Sequence, residues 1–233
     1  MIGTDPHDLA SSLRPQEFGS TRPTSISDPL VEPAWPGVRV LAAVGRGRVT
    51  LWEDGEPLEE HDALRVALDR AIAGAAGDGA IVDGYLTKRT VSEGVGIQVG
   101  VYDPPSMTSQ ISHFFIGGRR DRLGEMEKRR EEEIADRQFD EPEIVNLVVV
   151  DLLWLDGQWL LDVPLLERKR VLDSILPPGQ LVRPGPFVRT PIGSWIGSWR
   201  AQGFRGMAFK GANSRYRPGE TADDWTMADM PRR

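Results

Sequence analysis

Carboxylates, lysines and arginines carry most of the chemistry open to this chain, because the other reactive side chains are scarce. There is no cysteine, which excludes disulfides, thiolate metal sites and cysteine nucleophiles and is compatible with a reducing compartment. The three histidines, His7, His61 and His113, form no metal-ligand spacing, so no metal site is read from the sequence. The densest charged stretch runs from Arg119 to Arg137, with seven basic and seven acidic residues and only Leu123, Met126 and Ile134 as an apolar stripe. Pairs such as Glu125 with Arg129 and Glu133 with Arg137 would each stabilise a solvated helix by about 0.2 to 0.5 kcal/mol. A nucleic-acid contact is the sharper reading of the same stretch, and its neutrality weighs against it. The whole chain has 28 Lys+Arg against 35 Asp+Glu, a formal charge of -7. That argues against holding nucleic acid mainly through a basic surface and leaves room for a local basic groove.

Those side chains need a framework. With 39% hydrophobic and 27% charged residues over 233 positions, the chain can bury a core in one large domain or two small ones. Residues 1–29 are rich in Ser, Thr, Pro and Gly without sustained periodicity, and predict an extended or partly disordered leader. Residues 37–54 carry two β-branched runs joined by Gly45-Arg46-Gly47, the pattern of a hairpin. Residues 61–76 place Leu64, Ala67, Leu68, Ala71, Ile72 and Ala75 at helical spacing. Residues 80–88 and 91–101 have strand character. The string IVNLVVVDLLW, 144–154, is nearly continuous apolar sequence and belongs in the centre of a sheet. Pro164 opens a helix that Pro177-Pro178 stops. Ile192, Trp195, Ile196 and Trp199 mark another helix that Gly203 ends. Residues 204–210 give a last strand, and the tail from Asn213 is polar and turn-rich. No apolar run approaches the roughly 20 residues needed to span a bilayer. Asp5, His7 and Asp8 stand where a signal peptide would have its apolar core. A cytoplasmic protein without a membrane partner is expected.

Four separated strings then fall into one order. VVVDLLWLDGQWLLDVPLLERKRVLDSIL resembles a D-L-L-x-L-D-G followed by P-L-x-E-R-R-x-x-L, and GFRGMAFKGANSRYRPGETADDW resembles an E-G-x-x-x-K followed by S-x-Y-x-P-G and a Trp. Upstream, VEPAWPGVR resembles E-x-K-x-D-G-x-R, and IVDGYLT resembles L-D-G-E-I. Together, from Glu32 to Asp229, they resemble the adenylation domain of the ATP-dependent DNA ligases. The resemblance implies an α+β fold of the ligase nucleotidyltransferase type, ATP-grasp-like, with antiparallel sheets flanked by helices. It implies a domain over 30–230 with a charged helical insertion near 117–140. The OB-fold domain of the family is not expected within the chain.

The same resemblance implies a nucleotide pocket at Glu32, Gly37, Arg39, Asp83, Val150, Arg205 and Lys210, and it exposes losses. In the family the first lysine attacks the α-phosphate of ATP, which needs a depressed amine pKa and a cation-lined pocket; Ala34 stands there, with Pro36 at the following aspartate. Tyr85 replaces the carboxylate of D-G-E, although Asp83 and Gly84 are kept. Val150 replaces the aromatic that stacks on adenine, and Arg205 replaces a carboxylate that helps hold a divalent cation. Trp225 matches the Trp of W-x-K-x-K, whereas Met227 and Asp229 stand at its two lysines. Gly84, Gly157, Gly206 and Trp225 are also explained by turns and packing, and Asp151 and Asp156 by local pairing.

No catalytic residue is therefore intact. The sequence predicts a ligase-like adenylation domain that is catalytically inactive and acts as a binding or scaffolding module, with DNA or a DNA-repair protein as partner and no resident cofactor. The alternative is an active ATP-dependent DNA ligase or nucleotidyltransferase in DNA repair, using ATP and Mg with a relocated lysine at Lys88 or Lys210. A third reading, an interaction protein presenting 119–137, has no feature of its own in support. An arginine in a former carboxylate site needs acceptors if buried, so Arg205 is expected within salt-bridge distance of Asp83 or Glu32, plugging the pocket; the alternative is a side chain that points into solvent, as long arginines at strand ends often do.

Overall fold

A computed structural model of the chain describes residues 5–88 and 145–231, which fall in one compact unit. The strand read over 91–101 and the charged helix over 119–137 lie outside the described residues. Two sheets form the architecture. The first has the order β1-β12-β11-β2-β10, built from β1 (Glu17–Gly19), β2 (Pro29–Pro33), β10 (Val188–Arg189), β11 (Gly206–Gly211) and β12 (Thr221–Asp229). The second has the order β5-β4-β3-β6-β7-β8, with β9 joined to β7. Its strands are β3 (Val38–Gly45), β4 (Arg48–Glu53), β5 (Glu56–Leu58), β6 (Ala80–Thr87), β7 (Asn146–Leu155), β8 (Gln158–Trp159) and β9 (Val182–Pro184). All pairings are antiparallel except β1 with β12 and β7 with β9. Helices α1 (Pro6–Ser11), α2 (Asp62–Ala73), α3 (Leu165–Ile175) and α4 (Gly193–Ala201) flank them.

The expected hairpin is β3 and β4, turning through Arg46 and Gly47 at φ 55° and 71°, the positive-φ pair that matches strand twist. The long apolar run is β7, an interior strand bounded by β6 on one side and by β8 and β9 on the other. Alternation along these strands feeds both faces of the second sheet. Val40, Ala42, Val82, Val149 and Leu152 pack with Leu64, Leu68 and Ile72 of α2 and Leu172 of α3. On the opposite face Leu41, Ala43, Ile81 and Leu153 meet Leu30 and Trp225 of the first sheet.

The leader reading is corrected by the structure. Asp5 caps α1 by accepting from the His7 N–H at 3.0 Å. The His7 ring lies 3.1 Å from Thr50 Oγ1 and 3.3 Å from the Gly45 carbonyl, and β1 pairs with β12. A six-residue helix and a three-residue strand are too short for periodicity to register, and two of their anchors, His7 and Gln16, are polar. The turn-rich tail is corrected too. It contains β12, nine residues long, whose inward positions are Ala222, Trp225 and Thr226; TADDWTMAD carries too few apolar residues to declare itself.

The chain crosses from the first sheet to the second between β2 and β3, over Ala34 to Gly37. Gly37 has φ 127°, and a Cβ there would collide with the Leu86 carbonyl of β6, so this crossover demands glycine. Gly37→Ala is expected to cost about 3 kcal/mol or more, from backbone strain and steric overlap together. The urea midpoint checks this, and an unchanged midpoint would mean the crossover moves freely.

Candidate functional site

Three carboxylates are buried in the interior: Glu32 on β2, Asp83 on β6 and Asp151 on β7. Asp83 and Asp151 face each other in the β6–β7 register. Buried charges persist only when paired, and each has its own set of cations. Arg39 grips Asp83 in a fork, Nε to Oδ1 at 3.0 Å and Nη2 to Oδ2 at 2.5 Å, and the Tyr216 hydroxyl donates to Oδ2 at 2.8 Å. Arg168 of α3 forks onto Asp151 at 2.8 and 2.7 Å and donates onward to the Val163 and Ser214 carbonyls. Glu32 is shared. Lys210 of β11 donates to Oε2 at 3.0 Å, while the Lys169 ammonium of α3 lies 2.7 Å from Oε1 and donates to the Val150 carbonyl at 2.8 Å. The Lys169–Oε1 contact is an ion pair; Oε1 lacks a hydrogen bond of good angle.

The electrostatics follow from burial and pairing. Burial opposes the Glu32 charge, yet Lys169 and Lys210 hold its carboxyl below the usual range. Burial likewise opposes the charge on Asp151, which Arg168 overcomes. Lys210 goes the other way: burial lowers the ammonium pKa despite Glu32, with Lys169 and Arg39 as like charges nearby. The Lys210 ammonium also sits 4.5 Å from the centre of the Trp225 ring, whose indole N–H donates to Ser214. Burial, then Asp83, raises the Tyr216 phenol, and burial pushes Tyr85 up to about 12, so both hydroxyls stay neutral.

Of the residues read as pocket positions, the structure brings Glu32 to Lys210 and Arg39 to Asp83, and it places Gly37 against the end of β6. Val150 and Tyr85 lie in one apolar cluster with Trp35, Trp199, Phe204 and Met207; Trp35 meets Phe204 edge-on, ring centroids 4.9 Å apart. Ala34 is half-buried beside Gly206. The Arg205 plug is corrected. Arg205 is exposed, its expected acceptors are taken by Arg39, Tyr216, Lys169 and Lys210, and the side chain lies at the start of β11 where solvation is cheaper than burial. Met227, Asp229, Pro36 and Lys88 are exposed as well. Sequence reasoning missed Arg168, Lys169, Tyr216 and Gln16. The signal was present for the first two: both lie within the helical stripe of Leu165, Leu172 and Ile175, where a charged residue must be paired inside.

Whether these residues suit ATP with a divalent cation depends on free acceptors. Glu32, Asp83 and Asp151 are all engaged by cations, and among the described residues no group of three or more His, Cys, Asp or Glu is placed to hold a metal ion. No helix among the described residues is long and apolar enough to cross a membrane.

The chain matches no protein-family model, and no curated protein is similar to it. Solved structures are. The ligase domain of LigD from M. tuberculosis shares 20% identity at a TM-score of 0.61, over 94% of this chain and 60% of that one. A mycobacterial DNA ligase D complexed with ATP and MES gives the same figures. A third structure, Pmar-Lig_Pre, is 12% identical at a TM-score of 0.56, over 93% of this chain and 46% of that one. The protein therefore has the nucleotidyltransferase fold of a DNA ligase adenylation domain: mixed sheets flanked by few helices, with no closed barrel among the described residues. The chain spans about 60% of the length of the M. tuberculosis LigD ligase domain.

Two stability predictions follow from the pairing. Arg168→Met leaves Asp151 buried and unpaired and should cost about 3 to 5 kcal/mol, whereas Arg205→Met should stay within about 0.5 kcal/mol of the parent; paired urea titrations check both. Asp173 has the opposite sign. Burial pushes its carboxyl up to about 6 against the pull of Lys169, and its Oδ2 is buried without a hydrogen bond. A raised acid favours the protonated fold, so stability present below pH 3.8 is lost as pH rises through about 6. Asp173→Asn should stabilise the fold by about 1 kcal/mol at pH 8, once solvent screening is allowed for, and not at pH 4, which urea titrations at the two pH values check.

Proposed function

We propose that this domain is a non-catalytic member of the ligase fold, a binding or scaffolding module for DNA or a DNA-repair protein in the cytoplasm, which no longer transfers AMP. The observation that carries the reading is the saturation of the three buried carboxylates by Arg39, Arg168, Lys169 and Lys210, in a chain with Ala34 at the nucleophile position. Lysine adenylation needs an amine free to reach the α-phosphate and a metal to offset the triphosphate charge. Here Lys210 is enclosed by Glu32 and Trp225. Val150 and Tyr85 are packed against apolar neighbours, which supports loss of the adenine and metal subsites. DNA as partner is supported by the fold alone, since the solved structures it resembles are DNA ligases.

The depressed Lys210 ammonium is the one observation favouring the active alternative, in which that amine is the relocated nucleophile. Incubation with α-labelled ATP and Mg²⁺ or Mn²⁺ separates the two. No acid-stable AMP adduct is expected on the parent protein. None is expected on Ala34→Lys either, because restoring one amine supplies neither metal ligand nor phosphate clamp. An adduct lost on Lys210→Met would overturn the proposal in favour of the alternative.

A further inference from the structure

Arg14 to Gly19 run across the face of the domain where Arg39 and Lys210 converge, and the contacts they make there are unusual for an edge segment. Gln16 is fully buried. Its backbone N–H donates to the Tyr216 hydroxyl at 3.1 Å, its carbonyl accepts from Arg39 Nη1 at 2.5 Å, and its side-chain oxygen accepts from the Arg217 N–H. The next residues complete a short parallel pairing: Glu17 N–H to the Glu220 carbonyl at 2.9 Å, and Gly219 N–H to the Arg14 carbonyl at 3.0 Å. Phe18 then lays its ring over the cations, 5.8 Å from Arg39 and 5.7 Å from Lys210, and tilts against Trp225 at 5.7 Å.

Cations are concentrated beneath this segment. Arg39, Arg168, Lys169 and Lys210 pair with Glu32, Asp83 and Asp151, with Asp173 as a further carboxylate facing Lys169. At the Glu32 group one carboxylate lies against two ammonium ions. An aromatic face attracts such a cation without adding a negative charge, and it excludes water and anions from it.

We infer that residues 14–19 are an intramolecular cover that withholds a cationic site at Arg39 and Lys210 from anionic ligands. The inference rests on the reading of those two residues as pocket positions. It differs from the proposed function in concerning access rather than chemistry. The cover is an edge strand of the first sheet, paired with β12 alone and with a register shift between Phe18 and Gly19, and lifting it opens the Gln16 hydrogen bonds to Tyr216, Arg39 and Arg217 while the strands behind it stay paired.

Gly19 supplies the test. A Cβ at Gly19 would run into the Ala222 carbonyl of β12, so Gly19→Val pushes β1 away and touches no charged residue of the site. Binding of inorganic tripolyphosphate is measured by calorimetry at low salt. The parent should bind at least tenfold more weakly than Gly19→Val, and adding Lys210→Met, which removes the ammonium beneath Phe18, should abolish the gain. A folded Gly19→Val with the parent's affinity, or a gain that survives Lys210→Met, would overturn the inference. If Gly19→Val does not fold, Phe18→Ala removes only the ring and is read the same way: a tenfold gain supports the cover and an unchanged affinity refutes it. The AMP-adduct assay on the same variants reads the proposed function separately, so either idea can fail alone.

Discussion

The two sheets are tied together at their polar centre by one carboxylate. Glu32 lies on β2 of the first sheet and accepts from Lys210 of the neighbouring β11, while its other oxygen holds Lys169, whose hydrogen bond goes to the Val150 carbonyl on β7 of the second sheet. A single side chain thus joins β2, β11, α3 and β7. Removing Glu32 would leave two buried ammonium ions without their counter-charge. The penalty for that exceeds what hydrophobic contacts around it return, because an unpaired buried ion costs several kcal/mol.

The arrangement around Glu32 is built for definition rather than for strength. Pairing charges in a dry interior roughly breaks even against an apolar core of the same shape. What the pairs add is direction. The Arg39–Asp83 and Arg168–Asp151 forks each fix a guanidinium plane, and through the Tyr216 hydroxyl and the Gln16 backbone the same geometry reaches the N-terminal segment. Elements with few apolar residues of their own are held this way. Residues 14–19 have Phe18, half-buried, as their one large apolar side chain other than the chain-end contacts of α1, yet they are anchored at Arg14, Gln16, Glu17 and Gly19.

This explains which parts of the molecule were legible in the sequence. Helices α2 and α3, the β3–β4 hairpin and β7 announce themselves because apolar periodicity and turn residues act locally. The fold type was carried by strings around Asp83, Asp151 and Lys210. The pairing of the site was not legible. Arg168 and Lys169 sit on the buried stripe of α3, but their partners lie on β7 and β2, and nothing local says that a cation at that position meets Asp151 rather than water. The Arg205 expectation failed for the complementary reason. It assumed that Glu32 and Asp83 were waiting for a cation, when cations far away in sequence had already saturated both. The N-terminal segment and β12 escaped notice because their burial is achieved by polar anchors and by alternate residues of mixed character.

The same saturation bears on what a lysine at position 34 would meet. It would bring a fifth cation toward a centre that already holds four, and burial already lowers the pKa of Lys210. Further positive charge would be accommodated by deprotonating an amine, by drawing in an anion or by opening the interior to water. Ala34 avoids all three, and Trp35 beside it is packed against Phe204. Ala34, Tyr85 and Val150 are therefore mutually consistent choices: Tyr85 and Val150 share an apolar cluster with Trp35, while the cation-rich ion network gathers on Glu32, Asp83 and Asp151.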